Sequence, residues 1–134
     1  MVFVLDASVS AAWALPDETS DLADRLLTLA QVDGAVVPPL WWYEIRNILL
    51  VAERRKRIVQ TDADAFMRSL ARMAIGVEEL GDGQAVLRLA RVHRLSVYDA
   101  AYLELALRES LPLGTLDRSL ARAAALESVT VLTS

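Results

Sequence analysis

Short runs of apolar residues alternate along the chain with longer stretches of helical periodicity. The runs are continuous, without polar positions at every second residue, which is typical of strands buried on both faces of a parallel sheet. They predict five strands, at 2–5, 35–37, 76–80, 113–116 and 129–132. The third strand is the weakest and carries Glu78 and Glu79, which are typical of a solvated edge.

The segments between the runs have the periodicity and end signals of helices. Pro16 ends the first helix, and Thr61 with Asp64 has the spacing of a capping box near the start of the fourth. The predicted helices cover 8–15, 20–30, 40–57, 63–74, 83–94, 97–109 and 118–125. Strands separated by helices predict an α/β fold, a three-layer α/β/α sandwich around a mostly parallel sheet of about five strands. Ligands of such folds bind beyond the carboxyl ends of the strands.

Length and composition restrict the kinds of site that the chain can carry. At 134 residues it is expected to form one domain, residues 1–134. It has no cysteine and a single histidine, His93, which excludes thiolate zinc sites and multi-histidine metal sites. No run approaches the ~20 apolar residues of a membrane span, and no basic stretch of a signal peptide precedes the first run, so we expect a cytoplasmic protein without membrane contact. The net charge of −4 argues against a broad basic face for nucleic acid.

Asp6 ends the first buried strand, although a carboxylate is costly to bury without a partner. One interpretation is a cap for the helix that follows, with Ser8 as a second capping residue. The other is a functional carboxylate that the hydroxyl of Ser8 orients. The local sequence leaves both interpretations open.

Glu44 lies on or beside the apolar stripe of the long third helix, three residues after Trp41 and four before Ile48. A carboxylate there requires a cation or a polar cleft. Asn47 shares this side of the helix and is placed to hold Glu44 by an amide hydrogen bond. The alternative is a glutamate at the rim of the helix with its head in water.

Asp99 and Asp117 each stand at the start of a helix, where each has a structural explanation. Ser96 and Asp99 fit a capping box, and Asp117 can cap the last helix with Thr115 as a turn hydroxyl. Together with Asp6, however, they occupy equivalent junctions before helices. Glu44 faces inward near the start of its own helix, so a parallel sheet would bring the four acids together at one end.

Four converging carboxylates repel one another, which raises their pKa values. A hard divalent cation relieves this repulsion, and Mg²⁺ prefers oxygen ligands. Two such ions roughly 4 Å apart can cleave a phosphodiester, one activating water and the other stabilising the leaving oxygen. The hypothesis is therefore a metal site formed by Asp6, Glu44, Asp99 and Asp117.

Four segments resemble the PIN-domain nucleases, in particular the VapC-like toxins of bacterial toxin–antitoxin pairs. They are VFVLDASV, PPLWWYEIRNIL, LSVYDAAYLELAL and GTLDRSLARAA, and they follow the order and spacing of that family over nearly the whole chain. The resemblance implies an acidic catalytic and metal-binding site made of Asp6, Glu44, Asp99 and Asp117. It implies supporting polar roles for Ser8, Asn47 and Thr115.

The resemblance also implies a Mg²⁺- or Mn²⁺-dependent ribonuclease that forms a homodimer and is inhibited by a small antitoxin. One alternative is a phosphatase of the haloacid dehalogenase type, which also begins with a strand ending in a nucleophilic aspartate. This chain has Ser8 where such enzymes have a second aspartate, and its single lysine, Lys56, lies at the far end of the long helix. The other alternative is a non-catalytic binding module whose acids only cap helices.

Two further features have both a structural and an RNA-binding interpretation. The basic run 54–57 is typical of a solvated helix end, and also of a contact to RNA phosphates. The aromatic residues, Tyr98 and Tyr102 among them, are interpreted as core, dimer or partner surface, with base stacking as the alternative.

Overall fold

The computed structural model describes residues 1–133 of the chain. Its strands are β1 (Phe3–Leu5), β2 (Ala35–Val37), β3 (Ile75–Val77) and β4 (Leu113–Gly114). Its helices are α1 (Ala7–Ala14), α2 (Asp21–Asp33), α3 (Pro39–Arg54), α4 (Gln60–Ala71), α5 (Gly83–His93), α6 (Val97–Glu109) and α7 (Arg118–Leu126). A 3-10 turn at Pro16–Glu18 joins α1 to α2. None of the described helices is long and apolar enough to cross a membrane.

The four strands form one sheet in the order β3-β2-β1-β4, and every pairing is parallel. From β1 the chain proceeds outward through β2 to β3, and it then crosses back to place β4 on the other side of β1. The strand order therefore reverses between β1 and β4. Open α/β sheets bind their ligands at such a switch point, beyond the carboxyl ends of the strands.

Two groups of helices enclose this sheet. Helix α1 contacts both α2 and α3, and α3 contacts α4, whereas α6 contacts α5 and α7. Right-handed crossovers explain the grouping, because the chain moves in one direction along the sheet through the first four helices and in the opposite direction afterwards. The predicted three-layer α/β/α class is confirmed.

The core centres on β1, whose three residues Phe3, Val4 and Leu5 have no exposed surface. This burial on both faces is what the continuous apolar run predicts. Gly114 of β4 is required beside it, because a Cβ there would lie 2.8 Å from the ring of Phe3. Close packing of the central strands thus holds the carboxyl ends of β1 and β4 in a fixed relation.

The structure corrects two of the sequence predictions. The predicted strand at 129–132 is reduced to a single parallel bridge between Leu113 and Val131, so the sheet has four strands where about five were expected. Helix α4 begins at Gln60, after Val59, and its start has no side-chain cap. The capping box predicted from Thr61 and Asp64 does not begin this helix, because the observed N-cap, Val59, lies two residues before Thr61.

Candidate metal centre

Asp6 and Thr115 are in contact because the strands that precede them are paired in register. Leu5 lies beside Gly114, and the N–H of Asp6 donates to the carbonyl of Gly114 at 3.0 Å. The residues that follow the two strands therefore meet, and Thr115 Oγ1 donates to Oδ2 of Asp6 at 2.7 Å. Parallel pairing thus joins two side chains that are 109 residues apart in the sequence.

Ser8 supplies a second hydroxyl group to the same oxygen. Its Oγ donates to Oδ2 of Asp6 at 2.7 Å and accepts from the N–H of Leu116 at 3.0 Å. Asp6 stands at the N-cap of α1, but its side chain makes no capping hydrogen bond. The carboxylate, which is only 5% exposed, is therefore oriented by hydroxyl groups and does not cap the helix.

Asp117 caps α7 and borders the same cluster. Its N–H donates to Thr115 Oγ1 at 3.0 Å, which ties its backbone to the group that holds Asp6. Its Oδ1 accepts from the N–H groups of Ser119, at 2.8 Å, and Leu120, at 3.1 Å. The predicted cap of the last helix is confirmed, and Oδ2 of Asp117 takes part in neither of these bonds.

Glu44 is fixed by a tyrosine of another helix. It lies in the second turn of α3, and its Oε1 accepts from the hydroxyl of Tyr102 in α6 at 2.5 Å. Burial, and then this bond to Glu44, raise the pKa of Tyr102, so its hydroxyl stays protonated and donates. Tyr102 is fully buried, as its interpretation as a core residue predicts. The sequence analysis did not predict the hydrogen bond from Tyr102 to Glu44. One signal was present, because Tyr102 is three residues after Asp99 and therefore lies on the same side of α6.

Asn47 is not the hydrogen-bond partner of Glu44 that the helical spacing suggests. It is exposed on α3, and within residues 1–133 it donates no hydrogen bond to Glu44. Tyr102 approaches the carboxylate from the facing helix and takes that place. A supporting role for Asn47 in the site stays a prediction.

Asp99 is half-buried in the first turn of α6. Its N–H donates to Ser96 Oγ at 3.0 Å, which confirms Ser96 as the cap of this helix. That bond uses the backbone of Asp99. Helix α6 runs back toward the start of β4, so its first turn lies at the carboxyl end of the parallel sheet, where the other three acids are found.

The four acids share one electrostatic environment. Burial is the largest cause that raises the pKa of Asp6, of Glu44 and of Asp99. The charge of Asp117 adds to this at Asp6 and Asp99, and the charge of Asp6 adds to it at Glu44. Asp99 also interacts repulsively with Glu44 and with Asp6. The charged forms of Asp6, Glu44 and Asp99 are thus destabilised by burial and by neighbouring carboxylates, which is the condition that a bound cation relieves.

The donor chemistry of the cluster fits a hard divalent cation. Asp6, Glu44 and Asp117 each use one carboxylate oxygen for the bonds described above, and the second oxygen takes part in none of them. Among residues 1–133, no three acidic or histidine side chains are gathered tightly enough to ligate one ion together. Mg²⁺ needs only one or two carboxylates as direct ligands, because water completes its coordination.

The parallel sheet, the two helical layers and the acids at the switch point define an α/β domain with an acidic site at the carboxyl edge of its sheet. Residues 3–126 match the PIN domain family, and the chain belongs to that family. It is 35% identical over 127 residues to Ribonuclease VapC3 of Pyrobaculum aerophilum. The aligned region covers 90% of this chain and 93% of that relative.

Three solved structures, among others, have similar folds. PAE2754 from Pyrobaculum aerophilum is 26% identical, with a TM-score of 0.72 over 92% of this chain and 79% of that one. FitAcB from Neisseria gonorrhoeae is 16% identical, with a TM-score of 0.68 over 99% of this chain and 97% of that one. A toxin–antitoxin complex from Klebsiella pneumoniae is 14% identical, with a TM-score of 0.59 over 86% of each chain. The last two similarities concern the fold alone.

Proposed function

We propose that this protein is a Mg²⁺-dependent endoribonuclease, the toxin of a type II toxin–antitoxin pair. The observation that carries the proposal is the group of four mutually repelling carboxylates, each from a different element, at the switch point of the sheet. The reaction class is supported by two similarities of this chain, namely its PIN domain and its 35% identity to a protein named as a ribonuclease. Mn²⁺ is an alternative metal with the same preference for oxygen ligands.

The side chains of the site divide into ligands and groups that orient them. We assign Asp6, Glu44, Asp99 and Asp117 as the catalytic, metal-binding carboxylates. When bound, the cation activates water and stabilises the charge that develops on the phosphate. Ser8 and Thr115 orient Asp6 by holding one of its oxygens, and Tyr102 does the same for Glu44. Asn47 is proposed as a polar group at the rim.

The proposed partners follow from the same family membership. Two of the solved structures with similar folds are a toxin–antitoxin complex and FitAcB, so we propose a small antitoxin as the protein partner of this chain. We also propose a homodimer that acts on RNA in the cytoplasm. Expression of the chain alone should then arrest growth, and co-expression of the small protein encoded beside it should restore growth.

Cleavage of labelled single-stranded RNA tests the activity directly. The parent should cut RNA with Mg²⁺ and not with EDTA, and Asp6→Asn should reduce the rate at least about 100-fold, because it removes a ligand of the metal. Asp64→Asn is the matched control, since Asp64 is an exposed acid on α4 away from the site. Parent-like cleavage by Asp6→Asn would contradict the assigned site.

The two alternative functions give different results in the same experiment. A phosphatase of the haloacid dehalogenase type would release phosphate from a monoester such as p-nitrophenyl phosphate, whereas the proposed enzyme should not. The hydroxyl of Ser8 is already bonded to Asp6 and Leu116, so it does not replace the second aspartate of such an enzyme. A non-catalytic module would neither cut RNA nor gain stability from Mg²⁺.

A further inference from the structure

A surface pocket of about 260 Å³ lies between the end of α5 and helix α7. His93 and Arg94 line it from the end of α5, and Ser119 and Arg122 line it from the first two turns of α7. All of its ionisable lining residues are therefore of the basic type. A pocket of this composition suits an anion.

The two arginines of the pocket are free to bind such an anion. Arg94 and Arg122 are exposed, and within residues 1–133 neither forms a salt bridge. The carboxylate of Glu127 is instead paired with His93 Nε2 at 2.7 Å and with Arg88 at 3.3 Å. These pairs join α5 to the end of α7, so they hold the two walls of the pocket together.

Two segments of the chain connect the pocket to the acidic site. Ser119 donates its N–H to the carboxylate of Asp117, and Arg122 follows one turn later on α7. Arg94 precedes Asp99 by five residues, across the short connection from α5 to α6. The five residues from Asp117 to Arg122 rise by about 7.5 Å along the helix axis, which is within about one Debye length at physiological salt. Charges in the pocket therefore act on a strand held at the acids.

The basic run 54–57 at the end of α3 is less suited to this task. Arg57 is already paired with Asp17 and Glu18. Arg54 is ten residues from Glu44 on the same helix, about 15 Å along the axis, or roughly two Debye lengths at physiological salt. Its attraction for a strand at the acidic site is therefore largely screened.

We propose that the pocket formed by His93, Arg94, Ser119 and Arg122 binds a backbone phosphate of the RNA strand beside the one that is cleaved. The inference rests on the proposed function, because it takes RNA as the substrate. The acids repel the backbone that they must approach, and guanidinium groups bind phosphate through charge-assisted, bidentate hydrogen bonds. The pocket thus supplies local attraction in a chain whose net charge is −4.

Salt-dependent RNA binding tests this assignment without relying on cleavage. Fluorescence anisotropy of labelled single-stranded RNA is measured in EDTA at several salt concentrations, with the full chain and with Arg94→Gln and Arg122→Gln. The slope of log K against log salt is negative, and loss of one phosphate contact to a single strand reduces its magnitude by about 0.7. We expect that change for each pocket variant, and a slope close to the parent's for Arg122→Lys, which keeps the charge.

Arg54→Gln is the matched control, because it removes the same charge from the other basic cluster and should leave the slope unchanged. If the parent binds RNA and the pocket variants keep its slope, or if Arg54→Gln reduces the magnitude of the slope equally, the pocket assignment is overturned while the proposed function stands. If the pocket variants lose affinity for the antitoxin and not for RNA, the pocket is a protein contact, which also overturns it. If the parent neither binds nor cuts RNA, the proposed function itself fails.

Discussion

Oδ2 of Asp6 accepts hydrogen bonds from Thr115 Oγ1 and from Ser8 Oγ, each at 2.7 Å, and Asp6 is almost completely buried. Burial raises the pKa of Asp6 more than any other influence, and the two hydroxyl bonds act against it. Thr115 also accepts from the N–H of Asp117, so one hydroxyl group supports two of the four acids. The positions of these two acids thus depend on the neutral hydroxyl groups of Ser8 and Thr115.

We expect Thr115→Val to destabilise the protein by about 2–3 kcal/mol. The valine keeps the approximate shape but leaves the Asp117 N–H and a buried carboxylate oxygen without this partner. Urea unfolding measures the change, and Thr130→Val, at an exposed position, is the control with an expected change within about 0.5 kcal/mol. Equal losses in the two variants would contradict the role given to the Thr115 hydroxyl.

Tyr102→Phe should separate packing from polarity at the second buried contact of the site. The ring stays in the core, but Glu44 loses a hydrogen bond that stabilises its charged form, so the pKa of Glu44 rises further. Mg²⁺ binding followed against pH should therefore shift to higher pH in this variant. Tyr98→Phe on the exposed side of the same helix should leave the profile unchanged, and a shift common to both would contradict the account.

Helix α6 is the element that connects the site to the rest of the fold. Asp99 and Tyr102 face the acidic site from its first two turns. Further along, the buried carboxylate of Glu104 is bound by Arg108 Nε at 3.1 and 3.0 Å, and Arg108 Nη2 donates to the carbonyl of Glu79 at 3.2 Å. This ion pair holds the segment after β3 against α6 and so fixes the position of the helix.

Gly81→Ala should disturb that contact. A Cβ at position 81 would overlap the carboxylate of Glu104, which is held on both oxygens by Arg108, so we expect a loss of about 2 kcal/mol. Gly83→Ala is the matched control, because a Cβ there meets nothing within 4 Å and alanine favours the first turn of α5. Chemical denaturation of both variants measures the difference, and similar stabilities would contradict the role of the ion pair.

The elements that were predicted correctly depend mostly on neighbouring residues. The buried run before Asp6 and the cap at Ser96 are of this kind, and the structure agrees with both, whereas the capping box at Thr61 and Asp64 is equally local and does not start its helix. The strand predicted at 129–132 depends on pairing with β4, and β4 is short, since Thr115 turns into the site. The bond between Tyr102 and Glu44 joins two residues that are 58 positions apart. The spacing of Tyr102 from Asp99 indicates the side of α6 on which it lies, but it does not identify Glu44 as the partner. Register in the sheet, likewise, decides that Thr115 meets Asp6.

At the scale of the whole molecule, the clustered acids should make stability depend on pH in a characteristic way. A carboxylate whose pKa is raised by folding stabilises the folded state below its ordinary pKa, and this contribution is lost as the pH rises through the raised value. The pKa is raised at Asp6, Glu44 and Asp99, whose ordinary values lie at 3.8 to 4.5. The metal-free parent should therefore lose stability relative to Asp99→Asn as the pH rises from about 4 to neutral.

Two acids elsewhere have the opposite dependence and cancel in that comparison. Arg57 holds the pKa of Asp17 low, and His93 and Arg88 do the same for Glu127, so these pairs lose stability as the pH falls. Because they are present in both proteins, the difference between parent and variant isolates the acidic site. Thermal melts in EDTA at several pH values measure it, and parallel curves would contradict the proposed repulsion.

The most direct test of the central claim, that the four acids form one cation site, is a Mg²⁺ titration of the melting temperature at neutral pH. The parent should gain several degrees, since a ligand at about 100 times its Kd stabilises the folded state by about 2.7 kcal/mol. Asp99→Asn should melt at a higher temperature than the parent without metal and should gain little from Mg²⁺, whereas Asp64→Asn should follow the parent. A variant Asp99→Asn that melts lower than the parent without metal, and still gains as much from Mg²⁺, would contradict the account.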